Sequence, residues 1–411
     1  MKRNIKKVAV LGSGVMGSRI AAHFAGAGVQ VLLLDILPKD LPADAPKAAR
    51  NKIVNDALAA ALKSNPSPVY HKSVAQRIQT GNFTDNMKDI AGADWIIEVV
   101  VERLDIKQSI FTEVEKYRKP GTLVTSNTSG IPIHLMAEGR SEDFKQHFCG
   151  THFFNPPRYL KLLEIIPTPF TKPEVVEFLM HYGDLFLGKR TVLCKDTPAF
   201  IANRIGVFSI MAIMNGMDKL QLSIDEIDAL TGPVIGRPKS ATFRTADVVG
   251  IDTLVRVAKG VYESCPDDEA RSLFSIPTWL EQMIAQNWLG DKSGQGFFKK
   301  VKSATGDKDI QVLNLQSLDY EPRKKPKFAT LEAAKQIEDL PGRLKALMAG
   351  QDKAGAFYRQ FHYALFSYIS HRIPEISDDI YKVDDAMMAG FGWEIGAFES
   401  WDALGVATTA A

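Results

Sequence analysis

The stretch Val8–Phe24, "VAVLGSGVMGSRIAAHF", decides how the chain begins. Val8–Leu11 reads as a buried strand, and Val15–Ala27 has helical spacing. Between them Gly12, Gly14 and Gly17 form the pattern G-x-G-x-x-G. Alone the pattern is weak. Here it follows a strand, opens a helix and leads to a second buried run, "VQVLLLD", ending in Asp35 eighteen residues past Gly17. Gly12 permits the tight turn, Gly14 lets a pyrophosphate approach the backbone, and Gly17 allows close helix–strand packing. The free N–H groups at the helix start suit phosphate. Asp35 is placed to accept hydrogen bonds from ribose hydroxyls and repels a 2′-phosphate, so NAD is favoured over NADP.

Working outward, the alternation continues. An Ala-rich helical stretch, Lys47 to Lys63, is followed by strand-like "DWIIEVVV", a helical run from Asp105 to Tyr117, and "GTLVTSNTS", a strand entering a loop. A helix from about Pro173 and the strand "RTVLC" complete an α/β pattern, a Rossmann-type doubly wound, mostly parallel sheet with helices on both faces. From Thr197 helical signals dominate, with Asp196 expected as N-cap and Pro198 in the first turn of a long apolar helix. The expected organisation is a dinucleotide domain over 1–193, an all-α domain over 194–300, a polar, basic linker over 301–345 that includes a short helix, and a partial second helical repeat over 346–411. The repeat rests on spacing: Asp228 precedes Gly236 and Asp384 precedes Gly392 by eight residues, and each then reaches Asp-x-x-Gly, at Asp247 and Asp402.

Bulk properties narrow the function. With 45% hydrophobic and 24% charged residues over 411 positions, the chain is an ordinary globular protein long enough for two or three domains. A formal charge of +2 gives no footprint for nucleic acid. No apolar run is long enough to span a bilayer. Cys149, Cys194 and Cys265 are scattered and form no CxxC, which points to a cytoplasmic protein with neither a disulfide framework nor a metal site.

The stretch "THFFNPPRYLKLLEII", Thr151–Ile166, places His152 and Glu164 in two strand-like runs flanking a Pro-Pro turn. Side by side, an imidazole donating one N–H to Glu164 keeps its other nitrogen as an acceptor, the arrangement a general base needs. By itself the stretch favours a blander outcome, because a strand glutamate usually faces solvent and a lone histidine is usually a satisfied core residue.

Resemblance changes that balance. "THFFNPP…LLEII", with "SNTSG" at Ser126–Gly130 and "KDTPAFIANR" at Lys195–Arg204, resembles the 3-hydroxyacyl-CoA dehydrogenases of fatty-acid β-oxidation, in the same order from Lys7 to about Lys300. "YEPRKKPKF" and "FGWEIGAFESWDALGV" resemble a longer bacterial subclass in which an enoyl-CoA hydratase domain accompanies the dehydrogenase. The resemblance implies oxidation of (S)-3-hydroxyacyl-CoA to 3-ketoacyl-CoA with NAD. It implies His152 as base and Glu164 as its orienting acid. Ser129 and Asn203 would then bond the reacting oxygen or the thioester carbonyl. Asn155, Glu102 and Lys107 would lie near the nicotinamide end of the cofactor, the alternative for Lys107 being a solvated helix lysine. The helical insertion at 44–77, with Lys47, Lys52, Lys63 and Lys72, resembles the part of the family that leans over CoA. The implied partners are an acyl-CoA substrate and an enoyl-CoA hydratase domain, fused or separate. A second helical unit in place of a dimer partner favours a monomer. The rivals are a β-hydroxyacid dehydrogenase acting on free acids and a non-catalytic NAD-binding structural protein.

Overall fold

The computed structural model describes residues 3–302 and 308–409. The chain divides into two units, Met1–Phe200 and Ile201–Ala411.

The first unit is built on eight strands: β1 (Lys7–Leu11), β2 (Gln30–Asp35), β3 (Ile78–Asn82), β4 (Trp95–Glu98), β5 (Leu123–Ser126), β6 (Phe148–Phe153), β7 (Leu162–Pro167) and β8 (Arg190–Leu193). Their order is β3-β2-β1-β4-β5-β6-β7-β8. Neighbours pair in parallel except β6 and β7, which are antiparallel. β1 and β2 are apolar runs because both faces of the sheet are covered, and every residue of β4, β5 and β6 is buried. Helix α1 (Val15–Gly26) follows β1 directly. A Cβ on Gly17 would lie 1.8 Å from the Gly12 carbonyl oxygen, so only glycine lets α1 start this close to the turn. The order reverses between β1 and β4, which opens a crevice at the carboxyl edge of the sheet, where doubly wound folds take their ligands.

One strand was not foreseen. "IQTGN" of β3 carries a single large apolar residue, Ile78, and forms the sheet edge by pairing with β2. Asp196 also differs from expectation. Ala199 and Phe200 take left-handed φ values of +63° and +53°, so the long helix starts only at Ala202. The Asp196 carboxylate instead accepts the N–H groups of Ile133 and His134, capping the helix Ile133–Ala137 some sixty residues earlier in the chain.

The second unit is mainly helical. The stretch 301–345, expected as a linker, contributes to a three-stranded antiparallel sheet, β9 (Phe298–Lys302), β10 (Lys308–Leu313) and β11 (Tyr320–Pro322). Phe298, Val312 and Leu313 are buried, while Lys300 and Lys302 beside them face water and make the stretch read as a charge run. Helices Ala329–Ala334 and Leu340–Ala349 follow.

The two Asp…Gly segments share one local device. Asp228 accepts the N–H groups of Thr242 and Phe243, and Asp384 those of Phe398 and Glu399, each capping a helix fourteen residues on. Gly236 and Gly392 both sit at φ +68°. Burial pushes the two carboxyls up alike, Asp228 to about 7 and Asp384 to about 6.

His362, 3% exposed on the helix Lys353–His371, is held against the Tyr358 carbonyl at 2.8 Å. Burial lowers its pKa to about 4. Between about 6.5 and 4 the unfolded chain therefore binds more protons here than the folded one, and stability falls as pH falls. From pH 7 to 4.5 the loss through this group is expected to be on the order of 2 kcal/mol. Urea unfolding of wild type and His362→Gln at both pH values checks it, and equal pH slopes in the two proteins would refute it.

Candidate active site

The site is assembled from four loops that leave the carboxyl ends of parallel strands. At β1, Gly12 has φ +109° and its Cβ would meet the Val99 carbonyl oxygen at 2.6 Å, so the turn requires glycine twice over. A Cβ on Gly14 would meet nothing within 4 Å, which leaves the space over the helix start open. The first intrahelical bond there runs from Ser18 N–H to Gly14 C=O, so the N–H groups of Val15, Met16 and Gly17 precede it and point outward. Asp35, at the end of β2, accepts from the Ser13 N–H at 2.6 Å and from its hydroxyl, and also from the Ile36 N–H. This ties the acid to the turn and keeps it partly exposed. An open cradle, outward N–H groups and an anchored acid fit a dinucleotide.

Beyond β4 lies a charge cluster. Glu98 is fully buried and Lys107 is 1% exposed. The Lys107 ammonium donates to both Glu98 oxygens at 2.8 and 3.0 Å, and lies 3.3 Å from Glu102. Glu98 also accepts from the Ser126 hydroxyl and the Val100 N–H. Glu102 accepts from the Thr128 hydroxyl and, at 3.0 Å, from the Ser129 N–H. Burial pushes the Glu98 carboxyl above the usual carboxylate range against the pull of Lys107. For Glu102 burial also opposes ionisation, but Lys107, Thr128 and Ser129 outweigh it and hold the carboxyl below its usual range. Lys107 is thus no solvated lysine. Its charge fastens the loop after β4 to the loop after β5, which carries Ser129.

His152, on β6, is 4% exposed, and Glu164, on β7, is fully buried. They are direct register partners in the antiparallel pair, so their side chains share one face. His152 Nδ1 lies 2.7 Å from Glu164 Oε2. Facing a carboxylate, Nδ1 carries the proton and Nε2 keeps its lone pair. Phe154 and Phe200 pack against the ring, with centroids 4.5 and 5.7 Å away. Asn127, from the loop after β5, accepts the Phe153 N–H at 2.9 Å and fixes the backbone next to the imidazole.

Asn155, exposed in the following loop, accepts from Arg19 of α1 at 2.8 Å. That contact joins the histidine loop to the dinucleotide helix. The same loop is fastened on its far side, where Lys189 donates to the carbonyls of Pro157 and Leu160. Asn203 belongs to the second unit, partly buried in the first turn of the helix Ala202–Gly216. Lys47, Lys52, Lys63 and Lys72 are all exposed, and Lys52 pairs with Asp56.

Sequence reasoning left Glu98 and Ser126 without a role and passed over Asn127, Thr128 and Lys189. A signal existed for the first. An acid closing the apolar strand "WIIE" must be paired when buried, and a lysine follows nine residues on.

Comparison with known proteins shows what the chain is similar to. Residues 7–197 match the family model described as 3-hydroxyacyl-CoA dehydrogenase, NAD binding domain, and residues 200–300 match the C-terminal domain of the same family. A Bacillus subtilis protein named probable 3-hydroxyacyl-CoA dehydrogenase is 47% identical over 418 residues, covering 100% of this chain and 52% of that protein. The chain therefore spans about half the length of that relative. A Deinococcus radiodurans protein of the same name is 47% identical over 298 residues, covering 72% of this chain and 84% of that protein. The crystal structure of a 3-hydroxybutyryl-CoA dehydrogenase from Escherichia coli superposes with a TM-score of 0.67 over 99% of this chain and 93% of its own, at 23% identity, which speaks for the fold.

Lys107→Ala leaves Glu98 buried without its counter-charge. It is expected to lower the unfolding free energy by roughly 3–5 kcal/mol in urea titrations. A change under about 0.5 kcal/mol, the mark of a surface lysine, would contradict the cluster.

Proposed function

The chain belongs to the 3-hydroxyacyl-CoA dehydrogenase family, and from that membership we propose that it oxidises (S)-3-hydroxyacyl-CoA to 3-ketoacyl-CoA in fatty-acid β-oxidation. The observation that carries the reading is the buried His152–Glu164 contact at 2.7 Å. NAD, when bound, supplies the acceptor for the hydride leaving the substrate carbon. His152 Nε2 takes the hydroxyl proton, and Glu164 stabilises the imidazolium that forms. At an effective dielectric of about 20, a carboxylate roughly 4 Å from a cation contributes on the order of 4 kcal/mol. Phe154 and Phe200 pack against the ring and shield it from water.

Ser129 and Asn203 bond the reacting oxygen or the thioester carbonyl in this reading. Asn155 and Glu102 line the nicotinamide end, and Lys107 acts there by holding Glu102 and the backbone of Ser129. Asp35 binds the ribose. An acyl-CoA is the substrate, and an enoyl-CoA hydratase, fused or separate, supplies it. The reading includes a cytoplasmic location; among the described residues no helix is long and apolar enough to cross a membrane.

We also propose that the protein is a monomer, because the second helical segment packs on the first within one unit. A Cβ on Gly206 would fall 2.0 Å from the Phe391 ring, so the glycine lets the two segments close on each other.

His152→Ala is expected to fold, to bind NADH as wild type does, and to lose about 10²- to 10⁴-fold in kcat on 3-hydroxybutyryl-CoA. Near wild-type turnover would remove His152 from the mechanism. Light scattering is expected to give the mass of one chain, and a value of twice that counts against the monomer.

A further inference from the structure

A buried cation lies behind the loop that joins β6 to β7. Lys189 is 7% exposed and stands where the helix Pro173–Leu187 turns into β8. Gly188 closes that helix at φ +62°, and the Lys189 N–H bonds the Gly183 carbonyl at 2.9 Å, so the backbone carrying the lysine is fixed. Its ammonium reaches into the loop, where it donates to the Pro157 carbonyl and, at 2.9 Å, to that of Leu160. The Phe153 ring centroid lies 5.6 Å away. No carboxylate pairs with Lys189 among the described residues, and burial lowers its pKa to about 8.

A cation in such a place is costly, and an apolar side chain of similar length would avoid that cost. What the ammonium adds is a hold on the loop. Tyr159 and Leu160 both donate their N–H groups to the Pro156 carbonyl, so Pro156–Leu160 is one hydrogen-bonded turn. Bonds to the carbonyls of Pro157 and Leu160 fix that turn from inside the protein. Asn155 comes immediately before it, and its side chain accepts from Arg19 of α1. The loop's other ties come from Arg158 and Tyr159, both partly exposed, and reach the carbonyls of Ser67 and Val69.

We propose that Lys189 is a positioning residue for the nicotinamide end of NAD: its ammonium holds the Pro156–Leu160 turn, and the turn holds Asn155 where it meets the cofactor. This rests on the assignment of Asn155 to the nicotinamide end made above. Lys189 acts through the loop alone.

Isothermal titration of the full chain with NADH and with ADP-ribose separates positioning from general damage. ADP-ribose keeps the adenine, both riboses and the pyrophosphate but lacks nicotinamide. Lys189→Met retains an apolar stem and removes the donors. It is expected to weaken NADH about tenfold and ADP-ribose less than about twofold, with circular dichroism unchanged. In an Asn155→Ala background the same change is expected to weaken NADH by less than about twofold more, because both substitutions act on one contact. NADH affinity equal to wild type in Lys189→Met, or equal losses for NADH and ADP-ribose, overturns the proposal. An undiminished loss in the Asn155→Ala background overturns the route through Asn155. Wild-type NADH affinity in Asn155→Ala alone overturns the assignment of Asn155, and the proposal with it. Should Lys189→Met not fold, Lys189→Gln, too short to reach both carbonyls, is read by the same criteria. Every arm reads binding, so absent turnover on 3-hydroxybutyryl-CoA would count against the dehydrogenase reading and leave these outcomes standing.

Discussion

One ammonium group holds the centre of the first unit together. Lys107 reaches from its helix into the interior and meets Glu98 and Glu102, one at the end of β4 and one in the loop beyond it. Through these carboxylates it also gathers Ser126, Thr128 and Ser129. A charge so deeply buried is tolerated only with its partners in place, so the cluster is assembled whole or not at all. The loops beside the dinucleotide turn inherit that rigidity. A site meant to orient two reactants gains from loops that have one arrangement.

Different parts of this molecule were legible to different degrees, for physical reasons. The β1–α1–β2 unit is written in backbone demands. A turn at φ +109° and a helix start against a carbonyl both call for glycine, and the sequence shows it at Gly12 and Gly17. The mostly parallel sheet followed from buried apolar runs. The closeness of His152 and Glu164 was foreseeable because a short turn separates two strand-like runs, and the structure makes them register partners. The Glu98–Lys107 contact was not foreseen, although the acid closing the apolar strand "WIIE" called for a partner and Lys107 follows nine residues on.

The second unit shows the opposite failing. Its two Asp…Gly segments were visible as spacing, since each aspartate must cap a helix a fixed distance on. Its small sheet was hidden by lysines, which read as a charge run and give no hint of the buried Phe298 and Val312. Asp196 misled in a third way. It has the chemistry of a cap, but two left-handed residues separate it from the helix it precedes, and it serves another.

The antiparallel turn from β6 into β7 has a consequence for how the protein assembles itself. Some ties across the dinucleotide edge span long stretches of chain, such as the 136 residues between Arg19 and Asn155. The imidazole and its acid are 12 residues apart. By the logarithmic law of loop closure, bringing the longer pair together costs about 2 kcal/mol more in chain entropy. The His152–Glu164 pair is therefore a local product of one hairpin, able to form before the crossovers that surround it have found their places.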